Sequence, residues 1–162
     1  MIRPATFQDL ASVVEIYNQA IDAGFQTAYT RRFTIQERQA WFQKHLAPAY
    51  PIFIYEEDNH VIGWLSISPY REDRPALSHS IEISYYIHAS HQRKGIGTQL
   101  LAHAIPACRL LNYKVALAII IDRNAGSLRL MENFGFARWG YLPGVAQYHG
   151  VRCGHVYCGL IL

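Results

Sequence analysis

The sequence predicts an α/β or α+β fold built on a mixed β-sheet. Two observations carry this. Strand-like and helix-like segments alternate along most of the chain, and two strands near the front meet at a tight turn. A third observation fixes the middle of the sheet. Val115 to Ile121 is a continuous apolar run, as expected of a strand buried on both faces.

The elements follow in order. Met1 to Ala5 reads as a first strand. Thr6 reads as an N-cap with Asp9 in the first turn, and Leu10, Val13, Val14, Tyr17 and Ile21 then recur at helical spacing up to about Ala23. Gly24 closes that helix. Thr34 and Glu37 form a capping-box pattern opening a second helix, with Trp41, Phe42 and Leu46 on one side. Pro51 to Glu56 and Val61 to Ser68 are strands joined around Asp58-Asn59. Tyr70 to Ser78 is a polar loop, and His79 to His88 a third long strand. Gln92 to Gly97 is a glycine-bearing turn into a helix with Ile96, Leu100, Leu101, Ala104 and Ile105 on one face. Pro106 is expected to end or kink it. Asn124 to Phe134 is a helix closed by Gly135, and Phe136 to Tyr141 and Val156 to Leu162 are the last strands.

Composition bounds the function. A length of 162 residues favours one domain, 1–162, and no linker or repeat divides it. With 51% hydrophobic and 17% charged residues, the chain has material for a sizeable core. Net charge is +3, with the basic residues scattered, which suits a small anionic molecule better than nucleic acid. No apolar run is long enough to span a bilayer, and Met1 to Leu10 has no signal-peptide core. Three cysteines, Cys108, Cys153 and Cys158, read as reduced thiols of a cytoplasmic protein. Eight histidines show no metal-ligand spacing, so no metal is expected.

The most informative segment is the strand ending at His88 and the turn Gln92-Arg93-Lys94-Gly95-Ile96-Gly97. The first amides of a helix have no intrahelical acceptors and attract phosphate oxygens. Gly95 and Gly97 let an anion approach the backbone, and Arg93 and Lys94 add charge. The third glycine of a dinucleotide fingerprint and the eight-residue phosphate loop are both missing.

This turn resembles the Gln/Arg-x-x-Gly-x-Gly/Ala pyrophosphate motif of the GNAT superfamily. Asn124-Ala125-Gly126-Ser127, running on to Phe134-Gly135-Phe136, is similar to that superfamily's Asn-x-x-Ser helix. Ile2-Arg3-Pro4-Ala5-Thr6, Glu15-Ile16-Tyr17-Asn18, Tyr50-Pro51, Gly63-Trp64 and Glu82 to His88 look like the phosphinothricin and methionine-sulfoximine N-acetyltransferases, over nearly the whole chain.

The resemblance implies a GNAT fold, in which two neighbouring parallel strands splay apart beside helices. It implies acetyl-CoA as co-substrate. Its pantetheine arm would lie against Tyr85, Tyr86 and Ile87 and meet Asn124. Its pyrophosphate would lie on Gln92, Arg93, Lys94, Gly95, Ile96, Gly97 and Thr98. Glu82 matches the position of the family's proposed general base. Met131 stands where many members have a proton-donating tyrosine, which leaves water, Tyr85 or Tyr86 as the acid. Arg71 and Arg74 would hold the acceptor's anionic end, and Phe25, Thr27 and Tyr29 would line its pocket. A homodimer is implied as well. Gly150 to His155 departs from the relatives' pattern on the acceptor side. The reading is an N-acetyltransferase for a small amino acid or analogue. Its alternatives are another amine (a polyamine, an aminoglycoside, a protein N-terminus) or an acyl-CoA sensor without turnover. A nucleotide-binding module is the remaining rival.

Overall fold

The computed structural model describes residues 1–162. A seven-stranded sheet runs in the order β1-β2-β3-β4-β5-β7-β6. The strands are β1 (Ile2–Pro4), β2 (Ile52–Glu57), β3 (His60–Pro69), β4 (Ser80–Ile87), β5 (Val115–Ile121), β6 (Ala137–Tyr148) and β7 (Val151–Ile161). Helices α1 (Leu10–Ala23), α2 (Ile35–Lys44), α3 (Ile96–Leu110) and α4 (Ala125–Asn133) flank it. Every neighbouring pair is antiparallel except β4 and β5.

The two faces are filled differently. On one, Leu100, Leu101, Ala104 and Cys108 of α3 and Met131 of α4 pack on Leu65, Ile67, Ile81 and Ile83. On the other, Val13, Ile16 and Tyr17 of α1 and Phe42 of α2 pack on Ile52, Ile54 and Trp64. Alternation along β4 therefore sends Ile81 and Ile83 toward α3, and Glu82, Ser84 and Tyr86 toward α1 and α2.

Local chemistry explains most boundaries. Asp58 and Asn59 both take positive φ, 49° and 61°, as a two-residue hairpin between β2 and β3 requires. Thr34 accepts from the Glu37 amide, while the Glu37 carboxylate accepts from the Thr34 amide at 2.7 Å, which completes the box that opens α2. Thr6 and Asp9 make the same box around a short 3₁₀ turn, Phe7–Asp9, so α1 begins at Leu10.

Two expectations are corrected. Pro106 does not end its helix, which continues to Leu110. Pro106 and Ala102 both lie on the solvent side, where the carbonyl that proline leaves without a donor is open to water. The last two strands are far longer than the alternation suggested. They form a hairpin turning at His149 and Gly150, and β6 carries Pro143 and Gly144 at a break in register. Proline is tolerated there because β6 is an edge strand.

Trp64 ties the α1–α2 layer to the sheet. It is 1% exposed, and its Nε1 donates to the Val13 carbonyl at 3.1 Å. Tyr17, Trp41 and Tyr86 lie against it, with ring centres 4.8 to 5.9 Å away. Trp64→Phe should cost about 1–3 kcal/mol, through lost volume and the lost indole hydrogen bond. A thermal melt should fall by several degrees, at roughly 2–4 °C per kcal/mol for a chain of this size.

Candidate active site

The parallel pair is short. Ser80, Ile81 and Glu82 pair with Val115, Ala116 and Leu117, and the ladder stops there. Beyond that point β4 stays on β3 as far as Ile87, while β5 stays on β7 as far as Ile121. The two halves of the sheet therefore part, and a gap opens between β4 and β5.

The β3–β4 ladder shows which groups face the gap. The His88 N–H donates to the Ile62 carbonyl at 2.9 Å, and the Tyr70 N–H donates to the Ser80 carbonyl at 3.1 Å. Even-numbered residues of β4 thus turn their peptide groups to β3. Those of Ile83, Tyr85 and Ile87 turn toward β5, which has left. An extended chain laid in the gap would meet Tyr85 and Ile87 as a neighbouring strand does.

At the far end of the gap the turn prepares an anion site. Arg93 and Gly95 both take positive φ, 61° and 81°, folding the chain back into α3. The first bond of the helix runs from the Gln99 amide to the Gly95 carbonyl, so the amides of Ile96, Gly97 and Thr98 precede the helical ladder and face outward. The two glycines do different work. Gly95 supplies the left-handed conformation, with open space around it. Gly97 supplies room, since a β-carbon there would stand 3.0 Å from the Leu130 side chain and 3.2 Å from the Tyr85 ring.

One cleft joins these parts. It is walled by Tyr85, Tyr86, Ile87, Gln92, Arg93, Gly95, Ile96, Gly97, Thr98 and Asn124, with Lys94 outside it. Gln26, His91, Gly126, Ser127 and Leu130 complete the wall, and the sequence reading did not single them out as cleft residues. Gly126, Ser127 and Leu130 lie within the quoted Asn124-to-Phe136 motif, and His91 directly precedes the Gln92 turn. Gln26 sits in the segment read as acceptor lining, and nothing local marks it. The Asn124 side-chain oxygen accepts from the Ser127 amide at 3.1 Å and caps α4, which leaves its amide nitrogen for a ligand. The Tyr85 hydroxyl bonds Ser127 Oγ at 2.8 Å, bracing β4 against α4 across the cleft. Met131 is 1% exposed in the core and takes no part.

Glu82 stands where the ladder ends, on the α1–α2 face. Burial pushes its carboxyl above the usual glutamate range, and Arg71 draws it part of the way back. Tyr86 is the next residue but one on that face after Ser84. Burial and the nearby Tyr17 push its phenol well above the usual tyrosine range. Arg71 and Arg74 line a separate cavity with Lys44, His45 and Glu72 at the end of β3.

Of the α1–α2 segment, the Phe25 ring packs at a tilt against Tyr148, centres 5.0 Å apart. Thr27 is 6% exposed, and its hydroxyl bonds the Tyr17 hydroxyl at 3.0 Å while its carbonyl accepts from the Tyr148 hydroxyl. Both side chains pin the segment. Tyr29 is exposed and packs edge-on to Phe33. No three His, Cys, Asp or Glu side chains gather as metal ligands, and no helix is long and apolar enough to cross a membrane.

A mixed sheet that splits at its parallel pair, beside a helix start with free amides, defines the GNAT class of acyltransferase. The chain belongs to the GNAT acetyltransferase family, whose model matches residues 13–136. The L-methionine sulfoximine/L-methionine sulfone acetyltransferase of Salmonella typhimurium is 33% identical over 153 residues, spanning 94% of this chain and 86% of that protein. The L-amino acid N-acyltransferase MnaT of Escherichia coli is 32% identical over 149 residues, spanning 92% and 86%. The crystal structure of a GNAT superfamily phosphinothricin acetyltransferase from Sinorhizobium meliloti, in complex with acetyl-CoA, matches with TM-score 0.94 at 26% identity. That match covers 100% of this chain and 88% of that one.

The Glu82 environment gives a direct test. Its carboxyl should titrate above the ordinary value of about 4.3 by NMR, and Arg71→Gln should move it higher by removing the favourable charge. The sign for stability follows. The folded pKa lies above the unfolded one, so the native state loses stability as pH rises through the interval between them. Glu82→Gln should therefore raise the melting temperature at neutral pH while leaving it nearly unchanged at low pH.

Proposed function

We propose that this acetyltransferase moves the acetyl group of acetyl-CoA directly onto the α-amine of a small amino acid or analogue, of the methionine sulfoximine, methionine sulfone or phosphinothricin type. The observation that carries the mechanism is Glu82. It is a half-buried carboxylate of raised pKa at the point where β4 and β5 part. An amine attacks only when neutral, and an acceptor for its proton at that point is worth about 10²–10⁴-fold. Glu82 is that base.

The donor lies in the cleft. Its pantetheine arm pairs with the free peptide groups of Tyr85 and Ile87 and meets the Asn124 amide. Its pyrophosphate rests on the amides from Arg93 to Thr98, with Gln92 and the Arg93 side chain beside it; Lys94 adds only distant charge. The Ile87 N–H, on the gap side of β4, polarises the thioester carbonyl as a fixed dipole. Tyr86 is the neighbouring even-numbered residue, and its N–H faces β3 instead. A proton returns to the departing thiolate from water or from the Tyr85 or Tyr86 hydroxyl.

The acceptor approaches from the α1–α2 side. Arg71 and Arg74 meet its oxygen-rich side-chain end (sulfone, sulfoximine or the anionic phosphinate), and Phe25, Thr27 and Tyr29 bound its pocket through the segment they hold. The names of the relatives support the amino-acid class. The chain acts in the cytoplasm, with three buried free cysteines in keeping with a reducing medium, and it works as a homodimer. Trp139, Tyr141, Leu142 and Val145 on the edge strand β6 are 41 to 55% exposed, an apolar strip of the kind a second copy covers.

Thiol release from acetyl-CoA with a panel of amines tests the reading. Turnover confined to methionine sulfone, methionine sulfoximine, phosphinothricin and amino acids is expected; turnover confined to spermidine, kanamycin or a peptide overturns it. Glu82→Gln should lower kcat by about 10²–10⁴-fold at neutral pH and remove the acid limb of the pH profile, with acetyl-CoA affinity retained. Gly97→Val should weaken acetyl-CoA binding by about tenfold or more in calorimetry. The added side chain drives Tyr85 and Leu130 out of the cleft wall.

A further inference from the structure

Two arginines near the acceptor side carry carboxylate partners at the protein surface. Arg31 pairs with Glu37 at 2.8 Å, and Arg32 with Asp22 at 2.6 Å. Arg38 is the reverse case. It is half-buried on α2, and none of the chain's ion pairs, counted to 4.0 Å, includes it. Its guanidinium carbon stands 3.9 Å from the centre of the Trp41 ring, 5.0 Å from Phe33 and 5.2 Å from Tyr17. Burial opposes the charge, and the phenols of Tyr17, Tyr29 and Tyr86 favour it, Tyr29 also as a hydrogen-bond acceptor for the guanidinium.

Aromatic faces stabilise a guanidinium over its plane. They leave its edge, with five N–H donors arranged as a fork, of which Tyr29 takes one, to meet a carboxylate. A half-buried cation without a counter-ion is a costly arrangement unless a ligand completes it. The location suits such a ligand. The ring of Tyr17 touches both Arg38 and Tyr86, the latter at 4.7 Å between centres. Tyr86 walls the cofactor cleft and shares the β4 face with Glu82. A substrate over that face would have Arg71 at the Glu82 end and Arg38 at the Tyr86 end.

We propose that Arg38 is a specificity-determining residue that binds a carboxylate of the acceptor through the edge of its stacked guanidinium. The inference rests on the amino-acid reading above. It places a cation opposite Arg71 and Arg74, so that Arg38 takes the α-carboxylate while those two face the sulfone, sulfoximine or phosphinate end. An amine without a carboxylate leaves Arg38 uncompensated.

The experiment compares methionine sulfone with its carboxamide in the wild type, Arg38→Met and Arg38→Lys. In the wild type kcat/KM should favour the acid. Arg38→Met should cut that preference by about 10–100-fold, chiefly through KM for the acid, and Arg38→Lys should restore part of it. KM for acetyl-CoA should not move. Equal losses for acid and carboxamide, or an unchanged preference, overturn the proposal and leave Arg38 as packing. Trp41 supplies a readout independent of turnover. With CoA present, titrating methionine sulfone should change the indole fluorescence saturably in the wild type and not in Arg38→Met. A wild type that acetylates no amino acid refutes the amino-acid reading by itself. In that case acetate and glutarate become the probes, and the lack of a saturable response dependent on Arg38 refutes the anion site as well. Matched melting curves of the variants guard against loss of fold.

Discussion

The site depends on one event in the sheet, the end of the β4–β5 ladder after Glu82 and Leu117. Each strand keeps its other neighbour along its whole length, so each half of the sheet is stiff and the opening is fixed. Backbone groups that lose a partner inside a protein must find another. Here Tyr85 and Ile87 are left with theirs turned into the gap. A cleft made this way offers an extended ligand the backbone groups of a missing strand.

Everything chemical is arranged around that gap by strand alternation. Tyr85 and Ile87 place peptide groups at the opening, while Glu82 and Tyr86 place side chains on the α1–α2 face. The nearby anion site uses a second backbone resource, the first amides of α3. Both resources are independent of side-chain identity, so glycines, which shape the backbone, carry much of the sequence signal. The side chains then set the electrostatics. A carboxylate whose charge is opposed by burial, with one arginine restraining the shift, is poised to take up a proton.

Rigidity around the acceptor side comes from aromatic contacts. Tyr17 touches Tyr29, Phe33, Trp64 and Tyr86. Tyr148, from the long β6, reaches back to the Thr27 carbonyl and the Phe25 ring. The segment between α1 and α2 is thus pinned to both halves of the split sheet. Phe25 and Thr27, which the resemblance implies line the acceptor pocket, thereby also anchor the segment that carries them.

Much of this was legible in the residues alone, where the signal is local. Hydrophobic period, the N-cap at Thr6, the capping box at Thr34 and the Asp58-Asn59 turn place most elements, since each obeys rules acting over four or five residues. The Gln92-to-Gly97 motif marks the positive-φ turn that opens α3, because only a narrow set of residues permits that backbone. The course of α3 past Pro106 and the length of β6 past Pro143 were not legible. Whether a proline is tolerated depends on which side faces water and which strand lies at an edge, and both are properties of the packed molecule. The same holds for Gly97, whose neighbour is a tyrosine twelve residues earlier, and for Gln26 and Arg38, which no motif marks. The sequence by itself determined the order of elements and the residues that could bear chemistry. Only the tertiary structure decided where the parallel strands part and which charges are left without partners, because both depend on contacts between segments far apart in the chain.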